Sequence, residues 1–169
     1  MYPFLDMPII DCHTHISGAD DGFAPFLELM KKSGTAAFNV LSLASAREQS
    51  FTGRNLSQNL LCLLMKASCP DVKIYTFGSL YYPLPCDPVK EYDFLNHAKR
   101  LVAMGFDGFK MIEGKPDQRK LSGLPLDSEH YDDFYSYLES EGIPLLYHVA
   151  DPDSFWDMPP TNAGWLSIC

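Results

Sequence analysis

Two histidines one residue apart, His13 and His15 in the run Asp11-Cys12-His13-Thr14-His15, carry the densest chemical signal in the sequence. The apolar Pro8-Ile9-Ile10 before them reads as a buried strand, and alternate side chains of a strand share a face. His13 and His15 therefore point the same way and can chelate one metal ion; the plainer alternative is two imidazoles hydrogen-bonded near a strand end. His148 closes another apolar run, Pro144-Leu145-Leu146-Tyr147-His148-Val149, and offers a third neutral nitrogen. A divalent ion held by the three histidines leaves room for a carboxylate and a water, whose pKa it would lower to about 7.

Other polar groups stand beside these strand ends. Lys110, in Gly108-Phe109-Lys110-Met111-Ile112-Glu113-Gly114-Lys115, either bonds substrate, or bridges two metals if carbamylated, or snorkels to water from a strand end. Glu113, Lys115 and Arg119 are expected on a long loop. There they either recognise an acidic or polar substrate, with Arg119 gripping a carboxylate bidentately, or simply face solvent. Asp151, which with Asp153 and Asp157 follows His148, either orients a ligating imidazole from behind or forms an ordinary turn beside Pro152. His97, in mid-helix, and His130, in a first helical turn, read as surface residues.

Positioning these groups requires strands that end together. Apolar runs over about residues 8–13, 37–43, 72–80, 106–112 and 143–149 read as strands, with starts about 29–36 residues apart, the size of a βαβ unit. Between them lie helical stripes. Phe23, Phe26, Leu27 and Met30 form one, with Asp21 as N-cap and Gly34 beyond the end; Leu56, Leu60, Leu63, Leu64 and Ala67 form the next, opened by Asn55 with Gln58 and stopped by Pro70. Phe94, Leu95, Ala98, Leu101 and Val102 run to Gly105, and Tyr131, Phe134, Tyr135 and Leu138, capped by Asp127, run to Gly142. No G-x-G-x-x-G or Walker A pattern follows the first strand, which removes the usual support for a nucleotide-binding doubly wound sheet. The expected fold is α/β: an incomplete (β/α)8 TIM-type barrel of about four βα units plus a fifth strand, in a parallel sheet, with residues 1–158 as the barrel part and 159–169 as a short tail.

The chain has 169 residues, 46% of them hydrophobic and 21% charged, a globular composition that excludes a disordered or collagen-like chain. A formal net charge of −9, with no basic cluster longer than Lys31-Lys32 or Lys99-Arg100, argues against nucleic acid and anionic membranes as partners. Five scattered cysteines without a CxxC spacing suggest neither a disulfide framework nor a cysteine zinc knuckle. A reducing, cytoplasmic location is expected, and the first ten residues lack the pattern of a signal peptide.

Three segments together resemble the amidohydrolase superfamily, and within it the amidohydrolase-related, metal-dependent TIM-barrel hydrolases. They are Ile9-Ile10-Asp11-Cys12-His13-Thr14-His15, the stretch from Gly105 to Pro116, and the stretch from Leu145 to Asp157. The resemblance spans about residues 8–158 and implies a divalent metal, commonly zinc, held by His13, His15 and His148, with hydrolysis of a C–N or C–O bond of a small molecule or a related decarboxylation. The family adds a histidine from strand six and an aspartate from strand eight, and neither is assigned in this sequence. Turnover by the chain alone is therefore expected to be low.

Two other function classes stand beside this one. One is a catalytically inactive barrel segment that associates with itself through open edges. The other is an H-x-H phosphoesterase, suggested by the first motif and Asp20-Asp21-Gly22, although Ser42-Leu43-Ala44-Ser45 stands where that family has a Thr-Asp-His cluster.

Overall fold

The computed structural model describes residues 7–16, 23–43, 54–82, 93–149 and 151–152. Five strands run in the order β1 (Ile9–Thr14), β2 (Thr35–Leu41), β3 (Lys73–Gly78), β4 (Gly108–Met111) and β5 (Leu145–Tyr147), each parallel to its sequence neighbour. The helices between them are α1 (Ala24–Ser33), α2 (Arg54–Ser68), α3 (Phe94–Met104), α4 (Pro116–Ser122) and α5 (Asp132–Glu141), with a 3-10 turn over Glu129–Tyr131. The result is a curled half-barrel sheet, the α/β architecture that the spacing of apolar runs predicts.

The two faces of the sheet differ sharply. Phe38, Val40, Ile74, Thr76, Phe109 and Met111 point toward the helices and are buried, packing with Ala98 and Leu101 of α3 and Phe134 and Leu138 of α5. Each large apolar side chain fully buried there contributes about 1.5–3 kcal/mol. Phe109 meets Phe134 edge-on at 5.3 Å, and Phe94 stacks on Tyr131 at 4.8 Å. On the concave face Asn39 is paired with Tyr75, Phe77 with Gly108 and Lys110 with Leu146, and Ile10 and Tyr75 remain 61% and 36% exposed. Parallel strands normally carry apolar cover on both faces; here the helices supply it on one.

Several elements depart from the sequence expectation. Strands β3, β4 and β5 are shorter than their apolar runs, because residues at their ends leave the ladder for turns and caps, while β2 starts two residues before its run. Among residues 58–68 of α2, Asn59, Cys62 and Met65 are buried, while Leu60 and Leu64 are more than half exposed. Leucines surround this helix, so the period alone does not set its phase. Leu101 and Phe134, in the two later helical stripes, are buried. Helix α1 begins after Phe23 with Pro25 in its first turn, and the expected cap Asp21 lies outside the described residues. Ser128, not Asp127, caps the turn that leads into α5, its hydroxyl accepting from the His130 amide.

The expected loop after β4 contains α4. Pro116 supplies the preset φ of a first helical turn, and Gly123, at φ 68°, adopts the left-handed conformation that ends it. Proline just inside the start and glycine just past the end is a helix signature that the short span, lacking an apolar stripe, obscures.

Candidate metal centre at the carboxyl ends of the strands

A bulge in β1 aims the histidine pair. Asp11 pairs with Phe38 but Thr14 pairs with Val40, so β1 holds one residue more than β2 between these points. Thr14, level with the inward-packed Val40, is buried toward the helices, which leaves its neighbours His13 and His15 facing the concave side. Asp11 accepts the His13 amide at 2.9 Å and holds the bulge.

The two Nε2 atoms stand 3.0 Å apart, with the rings edge to face at 78°. His15 Nδ1 lies 3.0 Å from the Leu41 carbonyl oxygen at the end of β2. A carbonyl only accepts, so Nδ1 carries the proton and Nε2 presents its lone pair toward His13. Both imidazoles are pushed below the ordinary histidine pKa, chiefly by desolvation, with Lys110 adding to the effect at each. Neutral rings are the form that binds a metal.

His148 follows β5. Its amide donates to the Met111 carbonyl at 2.9 Å and its Nε2 lies 3.2 Å from Asp151 Oδ1, so Asp151 orients this imidazole. The structure thus brings His13 to His15 and His148 to Asp151. Among the described residues no group of three or more His, Cys, Asp or Glu side chains is gathered around one point. His148 is nevertheless near enough for its charge to disfavour protonation of His13.

Lys110 is on the concave face of β4 and only 3% exposed, so its stem is buried. Burial, then the charge of Lys115, lowers its pKa. Glu113 is also 3% exposed; burial raises its pKa to about 7, against the pull of nearby backbone amides, Tyr82 and Lys110. Its Oε2 has no hydrogen-bond partner among the described residues. Lys115 is half-buried at the N-cap of α4, and Arg119 is exposed one turn further on. The four expected substrate contacts therefore divide into two buried and two outer groups.

Sequence reasoning missed the polar fastening that holds these strand ends. Asn59 of α2 donates to the Ser79 carbonyl and accepts the Ser79 amide, at 3.1 and 3.0 Å, and the Ser79 hydroxyl reaches the Ser42 carbonyl at 2.7 Å. A buried asparagine inside a leucine-rich helix was its signal. The half-buried His97, expected at the surface, accepts the Tyr81 amide through Nδ1 at 2.8 Å and so anchors the segment after β3. His130 is exposed, as expected. Tyrosine hydroxyls pair Tyr82 with Tyr131 at 3.0 Å and Tyr135 with Tyr147 at 2.6 Å. Their electrostatic neighbour is Glu113.

Below the histidines, a hollow of about 450 Å³ opens on the concave face, lined by Ile10, Cys12, Tyr75, Phe77 and Leu146 with Asn39 among them. No helix among the described residues is long and apolar enough to cross a membrane. No protein-family model and no curated protein matches the chain.

Proposed function

We propose that this chain belongs to a metal-dependent hydrolase of the amidohydrolase type, acting on a C–N or C–O bond of a small molecule or in a related decarboxylation. The observation that carries this is the 3.0 Å approach of His13 Nε2 and His15 Nε2, with His15 Nδ1 already committed to a backbone carbonyl. Two imidazole nitrogens that each lie about 2.0–2.1 Å from one ion in a tetrahedral site are themselves about 3.3 Å apart, close to the separation of this pair, so the donors suit a divalent transition metal such as zinc. The Leu41 carbonyl plays the part of the outer partner that fixes a ligating imidazole's tautomer and orientation.

His13 and His15 would hold the ion, and His148, oriented by Asp151, would be the further nitrogen donor. When bound, the ion supplies Lewis acidity, which activates water near neutral pH and polarises a substrate oxygen. Lys110 disfavours protonation of both histidines and so keeps them competent as ligands. The free thiols of Cys12, Cys62 and Cys69 agree with a reducing, cytoplasmic setting.

Metal content of the purified chain tests the proposal. About one divalent ion per chain is expected, lost in His13→Ala and His15→Ala and reduced in His148→Ala. Equal metal content in all four proteins sinks it.

The uncovered concave face favours a second role, association with another copy of the chain through the open sheet. The exposed Ile10 and Tyr75 and the apolar hollow between them are its support.

A further inference from the structure

We infer that Lys110 is the anchor for a carboxylate carried by the small-molecule substrate, with Lys115 beside it, an inference that rests on the mouth of the half-barrel being the reaction site. A lysine that is 3% exposed has given up most of its hydration, and an ammonium so placed is costly unless an anion meets it. Within the described residues no hydrogen bond or ion pair reaches the Lys110 amine. The nearby acid, Glu113, is buried with an oxygen unpartnered among the described residues and held toward its neutral form, so it is a poor counter-ion. Among the described residues no side chain supplies the matching negative charge, and a substrate carboxylate would supply it.

Placement directs that ligand to the histidines. Lys110 pairs in register with Leu146, two residues before His148, so it occupies the concave face near the carboxyl edge. Its charge acts on both His13 and His15, and Lys115 acts on His15 and on Lys110 itself. This cluster of cationic and basic groups occurs in a chain of net charge −9, so it is a local exception rather than a general attraction for anions. Lys110 as a point charge and the neutral histidines divide the work: one holds the carboxylate, the others serve the reacting end.

Calorimetric titration with succinate, compared with the uncharged succinamide, tests the inference on metal-free protein, where binding owes nothing to the ion. Saturable binding of succinate is expected, weaker by at least about tenfold for succinamide and for Lys110→Met, and unchanged within about twofold for Lys99→Met, whose amine lies over the Tyr137 ring. Absence of succinate binding, equal binding of succinamide, or undiminished binding by Lys110→Met overturns it. If Lys110→Met does not fold, the succinate and succinamide comparison on the unaltered chain decides. Metal content of His13→Ala separates the two proposals: full metal content alongside Lys110-dependent succinate binding rejects the metal centre and keeps the carboxylate anchor.

Discussion

The carbonyl oxygen of His148 occupies the space that a side chain on Gly114 would need: a Cβ built there would lie 1.8 Å from it. The turn after β4 and the end of β5 can meet this closely only because residue 114 has no Cβ. The contact sits beside Lys115 on one chain segment and the His148–Asp151 pair on the other, so it couples the two sides of the mouth.

Gly114→Ala should push the end of β5 outward. We expect a destabilisation of about 1–3 kcal/mol, typical of overpacking, together with disturbance of the His148–Asp151 pair. Thermal unfolding and the histidine resonances of a carbon-13 labelled sample read the two effects. A variant with the same midpoint and an unshifted His148 signal would show that the backbone gives way freely.

Glu113 should impose a pH dependence on stability. Its folded pKa of about 7 lies above the ordinary 4.5, so between these values the folded chain binds more protons than the unfolded chain and stability falls as pH rises. The difference corresponds to about 3 kcal/mol between pH 4.5 and 7.5. Glu113→Gln cannot ionise. Its stability relative to the wild type, measured by urea unfolding, should improve steadily from pH 5 to pH 8, and a constant difference across that range would contradict the prediction.

Removing the buried amide of Asn59 strands two backbone groups of Ser79 at once. Asn59→Ala is expected to cost about 2–4 kcal/mol, more than a surface substitution, because both an N–H and a carbonyl lose their partner. Leu60→Ala, on the exposed side of the same helix, should cost under about 1 kcal/mol. Similar losses for the two variants would argue that the fastening contributes little.

Self-association through the concave face should depend on its apolar residues. Light scattering across a dilution series is expected to show dimers or larger species that Ile10→Glu and Tyr75→Glu dissociate. A monomer at every concentration would remove this role.

The period of the apolar runs, repeated about every 35 residues, carried the parallel α/β architecture, because burial on the helix side requires apolar residues wherever a strand or helix recurs. The H-x-H spacing carried the shared direction of His13 and His15, since strand alternation is a local property of the backbone. The phase of α2 was not legible: leucines lie on several of its faces, and only contact with β3 and the segment after it selects Asn59, Cys62 and Met65. Nor was α4, whose proline and glycine signals are local but whose short span shows no apolar period. The charge state of Lys110 and Glu113 was invisible for a different reason. Both residue types are ordinarily solvated, and the protonation that each favours depends on burial and on neighbours brought from elsewhere in the chain, Tyr82 beside Glu113 among them. Residue type and local spacing determine which groups can do chemistry and which way the backbone turns them; burial, tautomer and partner are collective properties of the packed chain, so the tertiary structure alone decides them.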